Sequence, residues 1–278
     1  HNVIKVKYES SSNVKAQKCI SICSLNPRSV KNKTLSHCDY IQSNDFDLVA
    51  ITETWLGRRI DKSCLSELVP NGYQIKHVPR GGGGGKRGGD VALIHKSEID
   101  VRSIASSDDN AFLSFEYLDC NLSINNHSIR LAIVYRPPPT KENGFKIKDF
   151  LEQDWPAFLA KYATLEKEII IVGDLNFHLD LPKNCDTEKF NNILKSCGLK
   201  QHVTQPTHVG GHTLDVIITR DTDDIVSNVD ITDPGLSDSS GKVSRDYFAV
   251  TFRTKISKPA PVKKTISFRK HREINIQA

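Results

Sequence analysis

Apolar positions along this chain fall into short runs with two different spacings. Ile169-Ile170-Ile171-Val172 sets four β-branched residues in succession, which predicts a strand covered on both faces. Leu48-Val49-Ala50-Ile51 repeats the pattern within residues 47–51. Further strands are expected at 19–25, with Ile20 and Ile22 on one face, and at 91–95, 111–119, 129–135, 214–219 and 248–252. Helical spacing is plainest over 145–162, where Ile147, Phe150, Leu151, Trp155, Phe158, Leu159 and Tyr162 form one stripe that reads as core. Two more helices are expected. One spans 31–44 with Leu35, Cys38 and Ile41 inward; the other spans 188–197 with Phe190, Ile193 and Leu194 inward and Gly198 as its C-cap. Strands alternate with helices early and meet in pairs later. That order predicts an α/β fold: two mixed β-sheets packed face to face with helices on the outside, a four-layer sandwich.

Polar residues at the strand ends change the picture. Asp174 and Asn176 follow the isoleucine run at alternate positions, and on an extended backbone such side chains share a face. Asn26 ends the first strand, Glu53 follows the second, and Tyr135 closes the strand that stops at Pro137-Pro138-Pro139. Any one of these alone reads as an ordinary turn residue. Together, at the ends of buried strands, they point to groups that a rigid scaffold holds in place for chemistry.

The chain has 278 residues, 38% hydrophobic and 26% charged, which is enough for one large domain. Residues 1–17 read as a disordered leader, 18–254 as the folded domain, and 255–278 as a tail rich in Lys and Pro. No apolar run is long enough to span a bilayer, and the polar start lacks the apolar core of a signal peptide. The seven cysteines are odd in number and include no CxxC pair, so they read as thiols in a reducing, intracellular compartment. A net charge of +5 is compatible with a polyanionic partner. The glycines at 81–85, with Lys86 and Arg87, lack the Walker spacing and read as a hairpin whose cations can touch a phosphate backbone. His208 and His212 lie in a polar loop without a cysteine partner, so a metal reading is discounted there.

Several strings in fixed order carry a resemblance. They are Asn26-Pro27-Arg28-Ser29, Thr52-Glu53-Thr54-Trp55-Leu56, the glycines before Val91-Ala92-Leu93, Val134-Tyr135-Arg136-Pro137-Pro138 and Val172-Gly173-Asp174-Leu175-Asn176. Downstream follow Pro206-Thr207-His208, His212-Thr213-Leu214-Asp215 and Asp233-Pro234-Gly235-Leu236-Ser237-Asp238. The chain thereby resembles the endonuclease/exonuclease/phosphatase superfamily, and within it the apurinic-type endonuclease domain of non-LTR retrotransposons. The resemblance implies metal-assisted hydrolysis of a DNA phosphodiester. Glu53 would bind a divalent metal, magnesium or manganese, with Asn26 beside it. Asp174 would deprotonate the attacking water, Asn176 and Tyr135 would bind the phosphate, and Asp215 would hold a catalytic histidine. Asp238 is expected near metal and phosphate, and Arg136, Lys86, Arg87 and Thr213 are the expected substrate contacts. DNA is the implied partner, with a reverse transcriptase domain in an intact element, and the nucleus is the implied location.

The histidine is where this chain departs. The superfamily string is Ser-Asp-His followed by an aromatic, Ala and Val. Here Ser237-Asp238 is followed by an extra segment, 239–246, and then by Tyr247-Phe248-Ala249-Val250. Tyr247 thus stands in place of His, and a neutral phenol cannot supply an imidazolium charge. An impaired endonuclease is the expectation. A nucleic-acid-binding module without turnover and a hydrolase of small phosphate esters are the alternatives.

Overall fold

The computed structural model describes residues 18–57, 62–79, 89–107, 111–125, 127–140, 144, 146–243 and 246–256. The expected leader at 1–17, Lys86 and Arg87 with the glycines before them, and the tail from 257 onward lie outside these residues. In chain order the elements are β1 (Lys18–Leu25), α1 (Thr34–Asn44), β2 (Leu48–Thr52), α2 (Lys62–Leu68), β3 (Tyr73–Val78), β4 (Val91–Lys96), β5 (Asp100–Ser106), β6 (Glu116–Ile124) and β7 (His127–Tyr135). They continue with α3 (Ile147–Asp149), α4 (Trp155–Ala163), β8 (Glu168–Asp174), α5 (Cys185–Ser196), β9 (Leu199–Gln201), β10 (Asp215–Arg220), β11 (Val226–Thr232) and β12 (Ala249–Ile256). A π-helical turn, Phe150–Asp154, joins α3 to α4.

The strands form two six-stranded sheets, ordered β11-β12-β1-β2-β4-β3 and β5-β6-β7-β8-β10-β9. β1 and β2 run parallel, as do β7 and β8, while the other neighbours are antiparallel. Alternation along each strand sorts side chains into layers. Ile20, Ile22, Leu48, Ala50, Val250 and Phe252 meet Leu131, Ile133, Ile170, Val172 and Ile217 between the sheets. Cys23, Leu25, Val49 and Ile51 point the other way, against Ile41 of α1 and Leu68 of α2. Val134, Ile169, Ile171, Val216 and Ile218 pack outward against Phe150, Trp155, Phe158, Tyr162 and Phe190. Helices therefore lie outside two mixed sheets, as the sequence pattern predicts. Among the described residues no helix is long and apolar enough to cross a membrane.

The aromatic stripe is core: Trp155 stacks on Phe158 and Phe190 at 5.6 and 5.8 Å between ring centroids. Two expectations are corrected. α1 starts at Thr34 and buries Thr34, His37 and Ile41, while Leu35 is 65% exposed. Its few apolar residues do not fix the rotation about the axis, and the buried face is Thr34, His37 and Ile41, with Lys33 Nζ donating to Pro27 O at 2.6 Å just before it. The strand expected at 111–119 begins only at Glu116. Asp154 accepts hydrogen bonds from Leu113 N–H, Ser114 N–H and Ser114 Oγ–H, which holds that stretch as a loop against the helix.

One contact fixes the centre of the second sheet. Gly173 pairs with Val134 across the parallel β7–β8 ladder at φ 136°, and a Cβ there would lie 1.9 Å from Val134 O. Only glycine permits this approach. The strand directions bring the ends of β1, β2, β7 and β8 and the starts of β10 and β12 to one pole of the sandwich.

Candidate active site

At this pole, Asn26 follows β1 and Glu53 follows β2, both buried. Glu53 has φ 51° and Trp55 φ 56°, conformations that non-glycine residues keep only where the surroundings hold them. Here Thr54 N–H donates to Asp90 O, and Gly57 N–H to Asp90 Oδ2 at 2.7 Å. The turn aims the Glu53 carboxylate inward. Asn26 Nδ2 donates to Glu53 Oε1 at 2.9 Å and to Asp174 Oδ2 at 2.7 Å. One amide thus joins a carboxylate from each sheet. Trp55 Nε1–H donates to Glu53 Oε2 at 3.2 Å, and the buried Tyr135 hydroxyl also bonds to Glu53. Burial and the nearby carboxylates push the Tyr135 phenol far up, so it remains a neutral donor.

Asp174 and Asn176 meet, but not through strand alternation. β8 ends at Asp174 and Asn176 has φ 49°, so the backbone has already turned. The pair is joined by an Asx turn, in which Asn176 N–H donates to Asp174 Oδ1 at 2.8 Å. Asn176 Nδ2 donates to Arg136 O at 3.0 Å and to Asp174 Oδ2 at 3.3 Å. Arg136, an expected substrate contact, is instead 1% exposed beneath this turn. Its Nη1 donates to Leu175 O and Asn176 O, and its guanidinium lies 5.5 Å from the Phe150 ring centre.

Asp215 opens β10 directly opposite Asp174. It is buried; Thr207 acts on its carboxyl, and among the described residues its Oδ2 has no hydrogen-bond partner. Thr207 Oγ1 accepts from Leu214 N–H and Asp215 N–H, fixing the start of the strand. Tyr247 reaches the same pole: its hydroxyl lies 3.5 Å from Asn176 Oδ1, and Asp174, Glu53 and Asp215 all act on its phenol, raising its pKa further after burial. Two expected members stand apart. Asp238 caps the extra segment, accepting from Ser240 N–H, Ser240 Oγ–H and Lys242 N–H. Thr213 is buried and ties loops together through Gln205 O and Asp180 Oδ1.

Burial, followed by repulsion from Glu53, pushes the Asp174 carboxyl up to about 7, against the bonds from Asn26 and Asn176 that favour its charge. Burial and Asp174 drive Asp215 up as well. Two carboxylates facing each other in a dry site do not both ionise readily. At this corner the hard oxygen donors are those of the single Glu53 carboxylate, since Asn26 turns its Nδ2 to Glu53 and Asp174 and its Oδ1 to Arg28 N–H. Among the described residues no group of three or more His, Cys, Asp or Glu is arranged around an ion position. A cation held here would have to take most of its ligands from outside the chain.

Sequence reasoning brought Asn26, Glu53, Tyr135, Asp174, Asn176, Asp215 and Tyr247 to the list, and the fold gathers them at one pole. It did not single out Trp55, Thr207 or Arg28, although the Thr-Glu-Thr-Trp, Pro-Thr-His and Asn-Pro-Arg-Ser strings contain them.

The four-layer sandwich has known counterparts. The chain belongs to the Endonuclease/Exonuclease/phosphatase family, whose model matches residues 23–239. No curated protein matches it by sequence. Among solved structures, the endonuclease domain of TRAS1, a telomere-specific non-LTR retrotransposon, superposes with a TM-score of 0.60 at 15% identity, covering 87% of this chain and 100% of that one. The AP endonuclease LMAP from Leishmania major gives 0.63 at 14% identity over 91% and 92% of the two chains. An AP endonuclease from Archaeoglobus fulgidus gives 0.59 at 16% identity over 84% and 98%. At such identities the likeness is one of fold.

Proposed function

We propose that this chain is a retroelement-type endonuclease domain that hydrolyses a DNA phosphodiester with the help of a divalent metal, and that Tyr247 weakens it. The observation that supports this most is the Asn26 amide, which ties Glu53 to Asp174 across the two sheets. It puts a cation-binding carboxylate and a base within one small site. Glu53, with Asn26 beside it, would hold magnesium or manganese, and the metal when bound would neutralise charge on the phosphate.

Asp174 is the base. A carboxyl titrating near 7 takes a proton from water while remaining largely ionised at slightly alkaline pH. Asn176 and Arg136 hold that carboxylate by fixing the turn around it. Tyr135 and Tyr247 supply neutral hydroxyls where charge develops. A charged imidazole would meet that charge better, and loss of one such donor costs on the order of 10²–10³ in rate.

The test is nicking of supercoiled plasmid in magnesium. The natural chain is compared with a variant lacking 239–246 and carrying Tyr247→His, and Asp174→Ala serves as the blank. The expected result is slow nicking by the natural chain and about 10²–10³ faster nicking by the restored one. Equal rates sink the impairment; absence of nicking in both sinks the endonuclease reading.

A second reading has its own support. Asp215 lies buried opposite Asp174, and among the described residues its Oδ2 has no partner, which supports a pole that binds without the histidine the resemblance expects. A binding module without turnover would show salt-dependent DNA affinity and no nicking. Turnover of a small phosphate ester with plasmid left intact would instead identify a phosphatase.

A further inference from the structure

Arg28 emerges at the rim of this site, two residues beyond Asn26. Its φ is 47° and that of Ser29 is 90°, an unfavourable pair for non-glycine residues. Three bonds hold it: Arg28 N–H to Asn26 Oδ1 at 3.0 Å, Ser29 N–H to Glu53 O at 2.8 Å and Val30 N–H to Thr54 O at 3.1 Å. The contacts that place Asn26 and Glu53 therefore also decide where the guanidinium stands. Glu53 and Tyr247 are both near enough to act on its charge.

Asp246 comes to meet it from the far end of the extra segment. Its backbone is anchored: Val209 N–H donates to Asp246 O at 3.1 Å and Phe248 N–H to Thr207 O at 2.9 Å, with His208 paired opposite Tyr247. The Asp246 carboxylate then lies 2.5 Å from Arg28 Nη1. The side chains are 44% and 55% exposed, so the pair is wet and worth little net. An exposed carboxylate on a guanidinium fork uses the same donors that grip a phosphate.

We propose that Arg28 is a backbone-phosphate subsite at the mouth of the active site, and that Asp246 occupies it in cis as a competitor which an incoming strand displaces. The proposal rests on the reading of the chain as a nucleic-acid hydrolase. Asp246 belongs to the segment that interrupts the superfamily string, so the interruption does more than separate Asp238 from Tyr247. It also places an anion on a guanidinium that stands close enough to Glu53 and Tyr247 to feel their charge.

The test measures affinity of the whole chain for a labelled duplex oligonucleotide over a range of salt, and for inorganic tripolyphosphate. The variants are Asp246→Asn, Arg28→Ala and the double variant, with Arg28→Gln as a second form in case alanine disturbs the strained turn. Asp246→Asn is expected to tighten DNA binding several-fold and steepen the salt slope by about one charge; Arg28→Ala is expected to do the reverse. In the Arg28→Ala background, Asp246→Asn should have little left to release. The proposal is overturned if Asp246→Asn leaves affinity unchanged, or acts as strongly without Arg28. Should no form bind DNA while tripolyphosphate shows the same coupling, the anion subsite stands and the nuclease reading falls. Should neither probe respond to the cycle, the subsite itself is refuted.

Discussion

Asp174 owes its proton affinity to its burial and to the Glu53 carboxylate beside it. Its folded pKa lies above that of an unfolded aspartate, so its contribution to stability is complete below about pH 4 and is lost as pH rises through about 7. Asp215, facing it, shifts in the same direction. We predict that Asp215→Asn relieves the repulsion. Thermal melts between pH 5 and 8 should show a shallower decline than the natural chain, and the pH midpoint of any nicking should move below that of the natural chain. An unchanged midpoint would count against coupling between the two carboxyls. The same substitution in the Tyr247→His variant lacking 239–246 should cost far more rate, because the carboxylate then has an imidazole to orient. Asp174, Glu53 and Asn26 were legible because each ends a strongly apolar run. Arg28 and Thr207 were not, since what they do depends on partners that only the folded chain supplies. Asn176 was placed beside Asp174 for the wrong reason: alternation suggested a shared face, and an Asx turn makes the contact.

At the level of elements, every strand expected from apolar runs lies inside a sheet, and β3, β5, β9 and β11, which were not anticipated, are the sheet edges. The physical reason is coverage. An interior strand such as β2 is buried at every position, whereas β11 alternates half-buried and exposed residues and includes Asp230. Edge strands carry fewer apolar residues and tolerate bulges, as β11 does between Ser227 and Asp230. The rotation of α1 was lost for a similar reason: its burial centres on His37 and Thr34, which no hydrophobic pattern marks. The element that positions the site most directly is the β7–β8 ladder. Gly173→Ala should force Val134 and Gly173 apart, destabilising the chain by about 3 kcal/mol, the upper end of what overpacking a core usually costs. Urea unfolding would measure this, and a loss under about 1 kcal/mol would show that the ladder relaxes easily.

For the whole molecule, the two sheets are of equal width but contribute differently. The first brings Asn26, Glu53 and Tyr247 to the pole, and the second brings Tyr135, Asp174 and Asp215. Neither sheet alone supplies this set of side chains, so the packing between the sheets is what assembles the pole. Lys18 pairs with Ile256 at the opposite pole, seven residues of β1 away from Leu25, or about 23 Å at the usual rise. Those two positions are neighbours on adjacent strands. A circular permutant that joins them through a short glycine-serine bridge and opens the chain in an exposed loop should fold and keep whatever activity the natural order has. A larger fusion attached at either position would start from the back of the sandwich, at the pole opposite the one where Asn26, Glu53 and Asp174 meet.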